Sequence, residues 1–443
     1  IRDQASVMGY TFIEIYPDLL PNNDSKVMDV KFVIDEGPRV YVKNINISGN
    51  TRTIDKVIRR QVKLSEGDAY NKYAIDLSKN TIKSLGFFST VDVNEERVLD
   101  SDRVNINIHV EEKNTGEISA GAGYSSVNKS SISLGLKEKN FLGKGQKAKF
   151  EASFADTQST YDISFEEPYY NNKNLSLRGD LYSRFSDPSS VKYETEDLGV
   201  SFTIKFPLSA IISYGFTYEL FTTQVKADSD ASSYEKLLAG TDTVSAVTNT
   251  FTADRRNSPY KPSDGSLSRL RSTVSGIGGT SYYIKNNFDY SKYKRLSKNF
   301  IGALKIEAGH LNGYNDKYAP ISSNYKLGGK KLRGFKSGKV GPKSGNSYYG
   351  GQYYYLTSLE TNFDLPINEF DITSVFFIDV GSVWGLDSRY GSVNDEQNIR
   401  SSTGVNLLWD SAIGPINLIY AKAIEKESTD SLDSIYFDIG YNF

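Results

Sequence analysis

A closed transmembrane β-barrel of about sixteen antiparallel strands, preceded by a small α+β domain, is the fold this sequence predicts. Three observations carry it. Beyond residue 114 the helical periodicity stops, and apolar and polar residues alternate through strands separated by polar turns to the end of the chain. The 443 residues include 31 Tyr and 23 Phe but only 2 Trp and 2 Met. That excess suits aromatic girdles, and a barrel that is apolar at every second position has an average hydropathy resembling a soluble protein. The region before residue 114 has a different texture, with two amphipathic helices among its strands.

Residues 38–113 read as β-α-α-β-β. In the strand 41–47, Tyr41, Ile45 and Ile47 share a face opposite Asn44 and Asn46. Thr53 is placed to cap a helix whose Ile54, Val57, Ile58 and Val62 form one side. Asn71 is placed to cap a second, with Tyr73, Leu77, Thr81 and Leu85 in a row and Gly86 as its stop. Strands 88–94 and 104–110 complete the unit. Gly9-Tyr10 and Gly86-Phe87 open matching strand pairs that end near Asp35-Glu36 and Glu111-Glu112, an internal repeat offset by about 77 residues. Residues 1–37 therefore read as the second half of an earlier copy. A chain that opens in mid-pattern reads as a fragment of a longer precursor.

Candidate barrel strands lie near 117–124, 130–138, 147–155, 159–167, 174–185, 194–206, 209–223 and 244–254. The other eight lie near 265–275, 280–294, 299–310, 352–363, 369–380, 397–409, 414–424 and 434–443. The alternation is clear where Leu198, Val200, Phe202, Ile204 and Phe206 oppose Gly199, Ser201, Thr203 and Lys205. It is weak around Arg269 and Arg271. The spacing of about 20 residues per strand and turn suits strands of about 10 residues crossing a bilayer. Only closure satisfies every backbone group there.

Composition and motifs exclude several chemistries. A net charge of −2 provides no basic field for nucleic acid, and with no Cys there is no thiol chemistry. Gly338-Lys339 is followed by Val340, so it is no phosphate-binding loop. The two His, His109 and His310, sit in no catalytic or metal-ligand pattern. No cofactor is expected. The segment 311–351 is too long for a hairpin turn, which marks a functional loop. Alternation turns Glu360 and Asp379 toward the lumen, beside outward Leu359 and Ile378. Arg333 of the loop then has two lumenal carboxylates to meet, and a bidentate pair would pin the loop inside the barrel.

At these residues the chain resembles a known family. Leu332-Arg333-Gly334-Phe335, Ser358-Leu359-Glu360 and the run Phe377-Ile378-Asp379-Val380-Gly381-Ser382-Val383-Trp384 are similar to the signatures of BamA-type assembly factors. So are Asn140-Phe141-Leu142-Gly143-Lys144-Gly145, Asp254-Arg255-Arg256-Asn257 and Pro262-Ser263-Asp264-Gly265. The α+β unit resembles a POTRA domain. Leu332 stands where Val is commoner in the family.

The resemblance implies an outer-membrane barrel over 114–443, with loop 311–351 turned inward, and a periplasmic POTRA domain over 38–113. It implies a Gram-negative outer membrane and the folding and insertion of client barrel proteins without nucleotide. The loop–lumen contact would comprise Arg333, Gly334, Phe335, Glu360 and Asp379. The first strand, Glu117 to Tyr124, carries two Gly and two Ala and has little side-chain grip. A weak lateral seam would join Ile118, Gly121, Gly123 and Tyr124 to Gly440, Tyr441 and Phe443 of the last strand, templating client strands. The implied partners are unfolded outer-membrane proteins, accessory lipoproteins docking on the last POTRA domain, and outer-membrane lipids, with no nucleic acid. Trp384 and Trp409 read as interface anchors.

The nearest rival shares the fold: a two-partner secretion transporter, or an autotransporter-assembly relative, moving a narrower cargo. A porin fits the long constriction loop but has no soluble α+β repeat. An outer-membrane enzyme lacks its catalytic residues.

Overall fold

The computed structural model describes residues 14–22, 27–35, 39–127, 129–317, 319–365, 372–386, 393, 395–411 and 414–440. Two compact units emerge: residues 1–117 with 138–147, and residues 118–137 with 148–443.

In the first unit, β1 (Glu14–Asn22) and β2 (Val27–Asp35) form an antiparallel hairpin. Its Tyr16, Leu19, Met28 and Phe32 stay exposed. Gly9-Tyr10 lies outside the described residues. The α+β domain follows as β3 (Tyr41–Ser48), α1 (Asp55–Arg59), α2 (Lys72–Ser84), β4 (Phe88–Arg97) and β5 (Arg103–Glu112). Its sheet order is β3-β5-β4, with β3 parallel and β4 antiparallel to the central strand. Val57, Ile58, Ile75 and Ile82 of the helices close the core over Val42, Ile106 and Ile108.

Three local expectations need correction. An irregular register between Val42 and Ile45 breaks the strict alternation of β3, so Val42 and Ile45 are buried while Tyr41 is exposed. Thr53 does not cap α1: the N-cap position is Ile54, and Thr53 is buried, its backbone N–H donating to Glu112 Oε1 at 2.6 Å. Asn71 does cap α2, its side chain accepting from the Ala74 N–H at 3.1 Å. The helix nevertheless buries the row Ile75, Ser78 and Ile82, and leaves Tyr73 and Leu77 exposed. Both rows recur at helical spacing. Ser78 suits the buried one because its hydroxyl bonds back to Ala74 O and accepts from the Lys63 N–H.

The barrel opens with β6 (Gly116–Ser125), β7 (Lys129–Phe141), β8 (Gln146–Ala155), β9 (Gln158–Glu167), β10 (Ser176–Ser186) and β11 (Tyr193–Pro207). It continues with β12 (Ile212–Ala227), the short helix α3 (Ser233–Leu238), β13 (Gly240–Asp254), β14 (Gly265–Gly279), β15 (Tyr283–Arg295) and β16 (Phe300–Gly313). The two-residue strands β17 (Gly334–Phe335), β18 (Lys343–Ser344) and β19 (Ser347–Tyr348) lie in the long connection that follows. Then come β20 (Tyr353–Asp364), β21 (Ile372–Trp384), β22 (Arg400–Ser411), β23 (Gly414–Glu425), the two-residue β24 (Leu432–Asp433) and β25 (Ile435–Gly440).

Sixteen of these strands close in sequence order, with β25 returning to β6. Leu198 and Phe202 point outward, 63% and 62% exposed, while Ser201 between them is buried. The weak pattern in β14 resolves the same way: Leu270 is exposed outward, and Arg271 reaches Asp289 of β15 at 2.9 Å. The outward row is the surface that meets lipid, and the inward row lines a polar lumen.

Candidate functional site

The connection between β16 and β20 folds back into the barrel. Leu332, Phe335 and Val340 pack there with Val244, Leu311, Leu356 and Val383 of the wall. This apolar contact holds the turn that carries Arg333.

Arg333 Nε donates to Asp379 Oδ2 at 2.7 Å and Nη2 to Asp379 Oδ1 at 2.5 Å, a bidentate fork. Nη2 also donates to Glu360 Oε1 at 3.0 Å, and the Arg333 backbone N–H to Asp379 Oδ2 at 3.2 Å. The guanidinium lies 3.5 Å over the Phe377 ring. Ser358 Oγ donates to Asp379 Oδ1 at 2.8 Å, and Lys305 Nζ sits 2.6 Å from Glu360 Oε2. Two cations thus meet two carboxylates with the lone pairs well used, the condition under which a buried ion pair holds. Gly334 follows at φ +93°, where an added Cβ would lie 3.3 Å from the Ala423 nitrogen and from Ser402 Cβ. Gly334 and Phe335 pair as β17 with β24, and Phe335 is fully buried.

More anchors exist than the motif alone suggests. Lys330 Nζ sits 2.6 Å from Asp438 Oδ2 of β25, and Lys331 Nζ 2.8 Å from Glu307 Oε2 of β16. Arg400 Nε and Nη2 donate to Asp430, whose side chain is buried in the β23–β25 connection. Tyr348 Oη donates to Thr429 O at 2.6 Å, and the Lys336 N–H to Ser431 O at 2.9 Å. The inward loop and the connection feeding the last strand are therefore stitched together. The sequence motif does not single out Lys330. The usable signal was Asp438, an acid on the inward face of the last strand that needed a cation.

At the seam, β25 pairs with β6 through Asp438↔Ser125, Ile439↔Tyr124 and Gly440↔Gly123, three register pairs among the described residues. Gly440 has φ +103°, and a Cβ there would lie 2.3 Å from Ala122 O. On β6, Ile118 is 86% exposed and Tyr124 is exposed, while Gly121 and Gly123 are half-buried. Tyr441 and Phe443 lie outside the described residues.

Within the first unit, the Asn140–Gly145 turn is built around the asparagine. Asn140 Nδ2 donates to Thr53 Oγ1 at 2.8 Å, and its Oδ1 accepts from the Gly145 N–H at 2.7 Å. The Ile54 N–H donates to Gly143 O at 3.0 Å. Glu112 anchors residues 51–53, accepting from the N–H groups of Thr53 and Arg52 and from Thr51 Oγ1. Partial burial alone would raise its pKa, but these hydrogen bonds hold the carboxyl below the usual range. Trp384 stacks on Tyr353 with ring centroids 5.6 Å apart. His109 Nδ1 lies 3.1 Å from Ser48 Oγ, and His310 packs against Tyr353.

Residues 140–443 match the Omp85 superfamily domain, and residues 40–113 match POTRA, the surface antigen variable number repeat. The chain belongs to the Omp85 superfamily. Among Omp85 relatives, the outer membrane protein assembly factor BamA of Neisseria meningitidis serogroup B is 27% identical, over 100% of this chain and 62% of its own length. The chain thus spans about three fifths of that relative. The crystal structure of BamA from Haemophilus ducreyi lacking POTRA domains 1-3 superposes with a TM-score of 0.83 at 25% identity, covering 100% of this chain and 92% of that one. CdiB from Acinetobacter baumannii shares the fold, with a TM-score of 0.57 at 11% identity over 98% of this chain and 79% of its own. The Omp85 barrel lies in the outer membrane with its POTRA region in the periplasm.

Proposed function

We propose that this chain is the membrane end of a factor that folds and inserts β-barrel proteins into the outer membrane, without nucleotide and without catalytic chemistry of its own. The make-up of the β6–β25 seam is the observation that carries this reading. The last strand meets the first there at Gly440↔Gly123, beside Gly121 and Ala122, so the two strands offer each other little side-chain grip. Parting the seam exposes two strand edges with unpaired N–H and C=O groups, which an incoming strand satisfies by β-augmentation. The folding of the client then supplies the driving force. The names of the curated relatives support the same activity.

In this reading Arg333, Gly334 and Phe335, with Glu360 and Asp379, keep the inward loop in place while the seam works. Ile118, Gly121, Gly123 and Tyr124 provide one edge; Gly440, Tyr441 and Phe443 provide the other. Residues 1–37 are the second half of one POTRA domain, 38–113 a complete one, and 114–443 the barrel. Unfolded outer-membrane proteins are the clients, accessory lipoproteins dock on the last POTRA domain, and outer-membrane lipids surround the wall.

The test is depletion and complementation in the source bacterium. Depleting the full-length protein should leave client barrels unfolded in the periplasm, and re-expression should restore them across many client types. Normal client assembly after depletion would defeat the reading. Loss confined to one secreted cargo would replace it with a dedicated transporter.

A further inference from the structure

A second lumenal feature lies beside the Lys330–Asp438 pair. A cavity of about 440 Å3 opens where the connections β6–β7, β8–β9 and β10–β11 meet the inward loop. That volume falls within the range of small-ligand sites. Lys326, Lys330 and Lys331 of the loop line one side. Ser189 and Ser190 of the β10–β11 connection, and Thr157 of the β8–β9 turn, line another. Ser186, Ser337 and Gln158 add further donors, and no Asp or Glu belongs to the lining.

The charges around it are unequal. Lys330 is matched by Asp438 and Lys331 by Glu307. Lys326 has neither an ion pair nor a hydrogen bond among the described residues. An ammonium withdrawn into protein without a counter-charge is unfavourable, and an anion in the cavity removes the penalty. Each paired lysine also keeps donors beyond the one its carboxylate uses. Lysine acts toward phosphate as a point charge, and serine and threonine hydroxyls supply directed donors.

We propose that this cavity binds a tetrahedral oxyanion: phosphate, free or as the phosphate ester of a lipid headgroup, seated on Lys326 and hydrogen-bonded by Ser189, Ser190 and Thr157. Donors come from three separate segments, the inward loop, the β8–β9 turn and the β10–β11 connection, and a tetrahedral anion has oxygens to meet all three. This site is distinct from the Arg333 fork, and it shares Lys330 with the ion pair that holds Asp438.

The experiment uses the full-length protein in nanodiscs and measures inorganic phosphate binding by titration calorimetry and 31P NMR. Two lipid compositions are compared, one with a phosphorylated glycolipid and one with the same lipid dephosphorylated. Saturable binding in both identifies a soluble anion as the occupant. Binding only in the dephosphorylated discs identifies the lipid phosphate, already in place in the others. Sulfate should compete, and chloride at equal ionic strength should not. Lys326→Met should weaken phosphate by about tenfold or more, the loss expected for one charge-assisted contact, and Lys326→Arg should largely keep it. Both variants are checked for barrel closure by heat-modifiable gel mobility. If Lys326→Met does not close, Lys326→Gln takes its place against Lys326→Arg. Absence of phosphate binding together with no 31P contact from the lipid, or equal affinity without the Lys326 charge, overturns the proposal.

Discussion

Lys330 and Asp438 stand 108 residues apart in sequence, yet their charged groups lie 2.6 Å apart across the lumen. Asp438 is also the register partner of Ser125, so the loop grips the last strand at the pair where that strand meets the first. Three residues along the same turn, Arg333 grips β20 and β21. One short segment therefore ties the last strand at the seam to β20 and β21.

The first prediction concerns that tie. Lys330→Met or Asp438→Asn should raise hydrogen exchange at 122–126 and 436–440 by about tenfold, the equivalent of one lost ion-pair contact of moderate strength. The reversed pair, Lys330→Asp with Asp438→Lys, should recover much of the protection. Unchanged exchange in both single variants would show that the loop does not restrain the strand.

Arg333→Ala should destabilise the barrel by about 3–5 kcal/mol, because it leaves Asp379 buried without its cation. Arg333→Lys keeps the charge and loses the fork, so it should fall between Ala and wild type. Urea unfolding in detergent, followed by gel mobility, provides the comparison. Wild-type stability in the Ala variant would mean that the fork does not anchor the loop.

Gly440→Ala puts a methyl where Ala122 O stands 2.3 Å away, in backbone with φ +103°. The last strand should lose its register with β6 and client assembly should fall, while the β20–β21 region keeps its protection. Crystallography or exchange data showing an unaltered seam would contradict this.

Glu112 offers a pH test in the soluble unit. Its folded-state pKa is depressed, so its contribution to stability is complete above the ordinary glutamate range and is lost as pH falls through the depressed value. Carboxyl 13C NMR should place its midpoint below that of free glutamate, and Glu112→Gln should weaken the unit at neutral pH but not once the carboxyl is protonated. A midpoint at or above the free value would remove the argument.

Much of this architecture is legible in sequence because a barrel strand writes its orientation locally. Leu359 beside Glu360, and Ile378 beside Asp379, suffice to turn both acids inward, and Leu332-Arg333-Gly334-Phe335 supplies the cation. What escaped depends on partners far along the chain. The wrong face was assigned to α2 because two apolar rows share its surface and only the sheet decides between them. Thr53 looked like a helix cap because its burial depends on Glu112 and Asn140. The irregular register in β3 carries no local mark. The pairs Lys330–Asp438 and Arg400–Asp430 need a closed barrel before either partner is near the other.

The most direct test of the central claim locks the seam. The chain has no Cys, so Tyr124→Cys with Ile439→Cys in the full-length protein places one thiol on each strand at facing positions. Antiparallel partners stand about 4.5–5.5 Å apart at Cα, within disulfide reach. Client barrel assembly is then measured with the bond closed and after reduction. The account predicts that the oxidised protein fails to assemble clients and that reductant restores assembly. Full crosslinking with undiminished assembly would contradict it.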